Sequence, residues 1–183
     1  MLSIILPVLN EEASLPDVLA RLQYLRQQGH EVIVVDGGSH DNSLMLAQQS
    51  ADKVIVSQPG RAIQMNSGAE LATGDILLFL HADTILPEDV ERSLSEIEGD
   101  TVWGRFDVRL SGRRFIFRII EAMMNFRSRI TSVATGDQAI FITTGLFEKV
   151  GGYPEIALME DIAISKQLRR VVKPVCVRNK VVT

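Results

Sequence analysis

The chain has 183 residues, 46% of them hydrophobic, and a formal net charge of −4. This length suits one globular domain with a buried core, and the acidic balance argues against nucleic-acid binding, which needs clustered positive charge. The single cysteine, Cys176, argues against a disulfide framework or a cysteine-rich zinc site. No apolar run reaches the roughly 18 residues that span a bilayer, and the N-terminus lacks the basic start of a signal peptide. We therefore expect a cytoplasmic protein.

The first hundred residues alternate buried-type strands with helices. Apolar runs predict strands at residues 2–8, 31–36, 53–57 and 76–80. Apolar residues at helical spacing predict a first helix after Ser14, which is its predicted cap, and further helices at 44–50 and 62–72. The proline and acids at 87–89 are predicted to open a fourth helix. This alternation predicts a mostly parallel sheet with right-handed crossovers.

Polar side chains follow the fourth strand where its apolar run stops. His81 and Asp83 are two residues apart in extended chain, so they point the same way. Ligands in open α/β sheets bind at such carboxyl ends. The imidazole suits Mn, Fe or Zn and the carboxylate suits Mg or Mn, so the pair predicts a divalent-cation site, with Mn²⁺ satisfying both ligand types. For these residues alone, a simple strand cap before the turn at Pro87 is the plainer interpretation.

The second half begins with a strand and a long helix. Residues 102–110 alternate, which predicts a strand with one wetter face, near an edge of the sheet or on the acceptor side. Residues 113–130 predict a helix that is apolar apart from a narrow polar stripe. That stripe contains Arg114, Arg118, Glu121, Asn125 and either Ser128 or Arg129. Core, a second subunit or lipid at a membrane surface could bury such a helix. We favour core packing with some oligomer contact, such as a homodimer, over peripheral membrane contact.

The remaining residues predict a strand at 138–143, a helical turn at 145–150, a helix at 159–170 and a strand at 175–182. Because the chain stops in that strand without a closing element, we expect further C-terminal sequence. No glycine-rich loop of the P-loop or dinucleotide type follows the first strands. The polar content there is acidic instead, and an acidic cluster at a sheet edge needs a cation or hydrogen-bond donors. A metal-bound nucleotide supplies both.

Five segments, in order, resemble the successive motifs of family 2 glycosyltransferases with the GT-A fold. They are residues 7–11, 34–43, 66–75, 81–83 and 160–161. Within that family the chain is most similar to a small bacterial group of arsenosugar-biosynthesis-type glycosyltransferases. The resemblance implies a three-layer α/β/α sandwich with a mostly parallel central sheet. It also implies one domain, with a nucleotide-sugar-binding half at 1–100 and an acceptor and catalytic-base half at 101–183.

The resemblance implies how the donor nucleotide and its metal are held. Asp36 corresponds to the carboxylate that accepts from the uracil imide N–H, with Pro7 and Glu11 lining the nucleoside pocket. Asp83 matches the last acid of the Asp-x-Asp motif, which holds Mn²⁺ or Mg²⁺ against the donor diphosphate. His81 departs from that motif, because it stands where the first aspartate is usual; a histidine there could serve the ribose or add a nitrogen ligand.

Other positions receive roles in the same way. Arg61 is expected to replace, near the phosphates, the arginine that the family has in the third helix, and Ala82 lies in the nucleotide-binding segment. Asp161 matches the catalytic base. Adjacent helical residues point about 100° apart, so only one of the two acids at 160–161 can face the acceptor. The implied contacts with the acceptor or donor sugar are Asp137, Gln138 and Glu160.

The implied reaction is transfer of a sugar from a nucleotide-diphosphate donor, in particular a UDP-sugar, to an unidentified acceptor hydroxyl, with inversion at the anomeric carbon. The transition state is expected to resemble an oxocarbenium ion. The alternative is a catalytically degenerate member of the family that binds a sugar nucleotide as a sensor or scaffold, which the histidine at position 81 favours.

Overall fold

The computed structural model describes residues 1–95, 97, 99–112 and 114–183. Arg113, the predicted start of the long helix, lies outside the described residues. The strands are β1 Leu2–Val8, β2 Glu31–Asp36, β3 Lys53–Val56, β4 Ile76–Phe79, β5 Trp103–Arg109, β6 Phe141–Thr143 and β7 Val175–Val182. The α-helices are α1 Leu15–Gln27, α2 Ser43–Ser50, α3 Arg61–Leu71, α4 Val90–Ser95, α5 Phe115–Thr131, α6 Thr144–Val150 and α7 Glu160–Val171.

The strands form one sheet in the order β3-β2-β1-β4-β6-β5-β7. Among the described strands, β6 runs antiparallel to its neighbours, β4 and β5, and the other strand pairs are parallel. An isolated antiparallel bridge also joins Ile85 to Val182 of β7. The mostly parallel α/β sheet predicted from the sequence is therefore confirmed. Because β1, β2 and β4 are mutually parallel, their carboxyl ends open at the same edge of the sheet, which is where ligands bind in such sheets.

Helices cover both faces of the sheet. Successive residues of a strand point to opposite faces, so each strand contributes to the core on both sides. Ile4 of β1 belongs to a core cluster that contains the apolar face of α1, whereas the next residue, Ile5, belongs to a second cluster on the other face. That second cluster includes Met65 of α3 and Ile164 of α7. A Cβ placed on Gly68 would lie 2.5 Å from Ile5 Cγ2, so a glycine lets α3 pack closely on the sheet.

The predicted wetter face of β5 is wrong. The strand lies inside the sheet between β6 and β7, and its charged residues Arg105 and Asp107 are 1% and 6% exposed. They form a buried ion pair, and Asp107 Oδ2 also accepts from Arg129 Nη2 of α5 at 2.6 Å. The alternation was read correctly, but α5 covers the polar face, so β7 and not β5 lies at the edge.

Helix α5 is oriented opposite to the prediction. Its polar residues Glu121, Asn125 and Ser128 are buried against the sheet, and seven of its nine large apolar residues are exposed by 38–77%. Predicted core packing of the apolar face is therefore wrong, because β5 presents charges and main-chain groups that only polar partners can satisfy. The predicted oligomer contact stays a prediction. A search of the described residues finds no helix with the length and apolarity to cross a membrane.

Three local predictions also change. The predicted strand at 138–143 is shorter, since Gly136–Gln138 form a 3₁₀ turn and the strand begins at Phe141. Ser14 makes no side-chain cap to its helix, because its hydroxyl donates to the Glu11 carboxylate at 2.6 Å. Helix α4 begins at Val90, so the predicted opening at Pro87 is wrong, and the proline and acids at 87–89 precede the helix. The other described elements begin and end close to their predicted bounds.

Replacing Gly104 by alanine is expected to destabilise the fold by roughly 2 kcal/mol or more. The added Cβ would lie 2.2 Å from the Val175 carbonyl oxygen and 2.4 Å from Phe141 Cζ, so the β5–β7 pairing must shift. Urea unfolding measures the change. Gly145→Ala is the matched control, because nothing lies within 4 Å of its Cβ position; equal stability of the two variants would contradict the expectation.

Candidate active site

Asp36 ends β2 with one carboxylate oxygen used and one unused. Its Oδ1 accepts from the backbone N–H groups of Gly38 and Ser39, both at 2.8 Å. Its Oδ2 is buried and has no hydrogen-bond partner among the described residues. The whole residue is 1% exposed. Buried acceptors are almost always paired, so an unpaired one indicates a missing donor.

The loops after β1 and β2 are tied together beside Asp36. Asn10 N–H donates to Ser39 Oγ at 2.9 Å, and Asn10 Oδ1 accepts from the backbone N–H of His40 at 2.8 Å. Glu11 N–H donates to Ser43 Oγ at 2.8 Å. Pro7 pairs with Val35 in the β1–β2 register, so it lies one residue before the loop. The structure thus brings Pro7 and Glu11 to the same two loops as Asp36.

Sequence analysis missed Gln64, which fixes the other side of these strand ends. Its Nε2 donates to the carbonyl oxygens of Val8 and Val35, both at 2.8 Å, and it is 4% exposed. The available signal was its spacing, because Gln64 precedes Gly68 by four residues and so shares the helix face that packs on the sheet. Gln64 holds the first turn of α3, including Arg61, at the carboxyl edge.

Three distant segments converge at Gly136. A Cβ on this glycine would lie 2.2 Å from His81 Nε2 and 2.7 Å from Asp161 Oδ2, so both side chains contact the bare backbone there. The Gly136 backbone also hydrogen-bonds Asp161. His81 Nε2 is buried without a hydrogen-bond partner among the described residues, and its Nδ1 lies 3.7 Å from Asp137 Oδ1. Sequence analysis assigned no role to Gly136.

Burial and the neighbouring charges in this cluster bring the pKa of the Asp161 carboxyl close to neutral pH. Burial, followed by the negative charge of Glu160, raises the pKa of Asp161 from 3.8 to about 7. Burial, followed by the charge of Arg61, lowers the pKa of His81. Arg61 Nη1 lies 3.5 Å from Glu160 Oε1 and so brings positive charge to the same place. A base is most effective when its pKa is near the working pH.

Comparison with models of known families matches residues 3–149 to Glycosyl transferase family 2. The chain belongs to glycosyl transferase family 2. A PGL/p-HBAD biosynthesis glycosyltransferase from Mycobacterium bovis is 34% identical over 166 residues, covering 84% of the chain and 63% of the relative. An undecaprenyl-phosphate 4-deoxy-4-formamido-L-arabinose transferase from Pseudomonas fluorescens is 32% identical over 155 residues, covering 74% and 44%. The chain thus spans less than two thirds of the length of these relatives.

Solved structures of glycosyltransferases show the same fold. S. aureus TarS superposes with a TM-score of 0.77 at 19% identity, over 100% of this chain and 36% of TarS. The mannosyltransferase PcManGT from Pyrobaculum calidifontis, in complex with GDP-Man and Mn²⁺, gives 0.74 at 20% identity, over 100% and 56%. These likenesses confirm the GT-A fold. Membership of the arsenosugar-biosynthesis-type group stays a prediction.

The residues that the structure describes would supply only part of a family 2 metal site. The described residues contain no group of three or more His, Cys, Asp or Glu side chains that could hold a metal. Asp83 is exposed, and among the described residues its Oδ1 accepts from the neighbouring Thr84 hydroxyl, at 3.2 Å. Mg²⁺ is commonly held by one or two carboxylates together with substrate phosphates, and Asp83 fits that arrangement. His81 fits a metal ligand less well than Asp83, because its two ring nitrogens face Asp137 and Gly136.

The side chains of two residues predicted to contact a ligand are buried. Gln138 is 0% exposed, with its Nε2 donating to Ser128 Oγ at 3.2 Å and its Oε1 accepting from Thr135 N–H at 3.3 Å. These bonds favour a role in holding the Gly136 turn over the predicted sugar contact. Ala82 is 4% exposed and its side chain packs in the core, which leaves its backbone for the nucleotide.

A second missed contact aligns α7, the helix that carries Asp161. Asn66 Oδ1 accepts from Tyr153 N–H at 2.8 Å, and its Nδ2 donates to Tyr153 O at 2.9 Å. The Tyr153 ring packs on Phe79 of β4 with centroids 4.9 Å apart. These contacts fix the segment before α7 against α3 and the sheet. They therefore set where Asp161 stands relative to Arg61.

Proposed function

We propose that this chain binds a UDP-sugar and transfers the sugar to an acceptor hydroxyl with inversion at the anomeric carbon. The observation that carries the proposal is the convergence of the buried Asp161 with His81 and Gly136. Arg61 links this cluster to α3, whose Gln64 bonds hold the strand ends that carry Asp36. In this proposal residues 1–100 hold the donor and residues 101–183 supply the acceptor side and the base.

Donor binding is assigned to the unpaired oxygen of Asp36. A uracil ring presents an imide N–H, and a buried carboxylate oxygen without a partner is the acceptor that such a donor satisfies. Pro7 and Glu11 flank this position on the adjoining loop. TarS has been solved in complex with UDP-GlcNAc and with UDP, and glucosyl-3-phosphoglycerate synthase from Mycobacterium tuberculosis in complex with Mn²⁺, UDP and phosphoglyceric acid. These relatives support UDP as the nucleotide.

The transfer step is assigned to Asp161. Its carboxylate takes the proton of the attacking hydroxyl while the new glycosidic bond forms and the bond to the diphosphate breaks. Arg61 is the cation of this cluster that can offset charge on the departing diphosphate. A divalent cation at Asp83, when bound, would supply Lewis-acid stabilisation of the same charge. Asp137, with a side chain 47% exposed beside His81, is the predicted sugar contact that stays accessible.

Calorimetric titration with UDP tests donor binding. Asp36→Asn is expected to weaken UDP binding roughly tenfold or more, because the amide keeps one oxygen for the loop N–H groups and presents its NH₂ group to another donor. Asp75→Asn is the matched control, since Asp75 precedes β4 at the opposite end of the sheet. Unchanged affinity in Asp36→Asn would refute the assignment of the base-reading residue.

The same titration with and without Mn²⁺ tests the metal. In Asp83→Ala, Mn²⁺ is expected to lose its effect on UDP affinity, while the metal-free affinity stays at the wild-type value. A Mn²⁺ effect that survives this substitution would contradict the role of Asp83. UDP release from a panel of UDP-sugars then separates the two functions: binding of UDP without release from any donor would favour the sensor or scaffold over the transferase.

A further inference from the structure

The outer face of α5 is an uncovered apolar surface. We define it by the large apolar side chains of this helix that are exposed by 38–77%. They are Phe115, Ile116, Ile119, Ile120, Met123, Phe126 and Ile130. Contiguous apolar patches of this kind on soluble proteins mark interaction sites.

The helix cannot turn to bury this face, because its polar side is bonded to β5 and the loop that follows. Asn125 Oδ1 accepts from Val108 N–H at 2.9 Å, and Asn125 Nδ2 donates to Val108 O at 3.1 Å. Glu121 Oε1 accepts from Leu110 N–H at 2.6 Å. Rotating the helix would leave these buried groups unpaired, at a cost of about 1–3 kcal/mol for each neutral group and more for the charged ones. The exposed apolar face is therefore a fixed feature of the fold.

The exposed charges of α5 and its N-cap are of one sign. Arg114 and Arg127 are exposed, and no ion pair holds either of them among the described residues. Arg118 and Arg129 are partly exposed and pair with acids on the inner side. The one acid of the helix, Glu121, is 4% exposed. A chain with a net charge of −4 thus presents cations beside its apolar helix face.

This charge pattern disfavours a second copy of the chain as the occupant. A two-fold contact brings the same patch of both subunits together. Arginines of one α5 would then face arginines of the other, and no exposed acid on the helix would offset the repulsion. A lipid surface with anionic headgroups satisfies both features, because apolar side chains enter the acyl boundary while arginines reach the phosphates.

We propose that the outer face of α5 docks on an anionic bilayer surface as an interfacial helix. This reverses the preference for an oligomer contact that the sequence alone suggested. The inner face of the same helix touches the candidate site, since Ser128 Oγ accepts from Gln138 Nε2 at 3.2 Å. Docking would therefore hold the acceptor half of the site near the membrane. The surface itself does not depend on the proposed transfer reaction.

Flotation of the 183-residue chain with vesicles tests the proposal. We expect binding to vesicles of phosphatidylcholine mixed with phosphatidylglycerol, weak binding to phosphatidylcholine alone, and release by salt. Phe126→Ser is expected to lower partitioning roughly tenfold, since it removes one large apolar contact from the acyl boundary. Equal binding to both kinds of vesicle, or none to either, would overturn the proposal.

Two matched pairs locate the surface. Met123→Ser should weaken vesicle binding and Met45→Ser should not, because both methionines are exposed but Met45 lies on α2. Arg127→Glu should weaken binding more than Arg21→Glu, which changes an exposed arginine on α1. Equal effects within either pair would overturn the assignment to α5. The wild type could instead form a concentration-dependent dimer that Met123→Ser abolishes, and bind no vesicles. That result would overturn the proposal and identify a second copy of the chain as the partner of this face.

Discussion

Asp161→Asn is expected to reduce sugar transfer by roughly a hundredfold or more, because proton transfer by a positioned base typically contributes that much. The asparagine has nearly the shape of the aspartate, so it keeps the place beside Gly136 but accepts no proton. UDP affinity should stay close to the wild-type value, since Asp36 stands on another strand end. UDP release and calorimetric UDP binding measure the two effects. Near-normal turnover in this variant would mean that another group is the base.

The raised pKa of Asp161 adds a pH signature. Burial and the charge of Glu160 raise this pKa from 3.8 to about 7, so the folded protein keeps a proton that the unfolded chain has already lost. The stability that this carboxyl contributes is complete below pH 3.8 and is lost as the pH rises through about 7. Asp161→Asn should therefore be more stable than the wild type at about pH 8, and that difference should shrink at low pH. Wild-type transfer should rise with pH up to about 7.

Gly136→Ala is expected to lower transfer by about a hundredfold while the protein stays folded, because small displacements of catalytic groups can cost that much. The new Cβ would stand 2.2 Å from His81 Nε2 and 2.7 Å from Asp161 Oδ2. Both atoms are at the ends of side chains, which can move aside without a change of backbone. The methyl group therefore displaces the base and its neighbour together. UDP release measures the loss, and urea unfolding checks that the fold is intact.

The control for this variant is Gly145→Ala, which adds a methyl group to α6 where nothing lies within 4 Å. UDP binding by Gly136→Ala should resemble the wild type, because the substitution does not touch Asp36 or its loop bonds. Transfer at the wild-type rate would show that the contact of His81 and Asp161 with Gly136 is not needed. Loss of UDP binding along with transfer would point to a wider rearrangement.

The position of the residues assigned to the donor, at the edge of the sheet, could be predicted for a local reason. A strand that ends in Asp36, and another whose apolar run stops at His81, can be recognised from short-range periodicity, and parallel strands bring their carboxyl ends together. The sequence could not predict that one carboxylate oxygen of Asp36 has no hydrogen-bond partner among the residues that the structure describes. This follows from the loop geometry, in which the N–H groups at 38–39 both donate to the other oxygen.

On the acceptor side, local sequence patterns do not predict which residues come together. Thr135-Gly136-Asp137 is an ordinary turn in the sequence, and only folding brings it between residues 81 and 161. The family resemblance implied that Gln138 contacts sugar, but it is buried and bonded to Ser128. In both cases long-range packing decides the role, and no spacing along the chain encodes it.

By itself the sequence determined the order of strands and helices, the acids at the strand ends and the family, because these depend on short-range periodicity and on motifs in order. Only the tertiary structure decided which face of α5 is inside. An amphipathic pattern shows that a helix has two faces, and the apolar one is expected to pack inward. Here β5 places Arg105 and Asp107 beneath the helix, so the polar face had to pair with them and the apolar face was left outside.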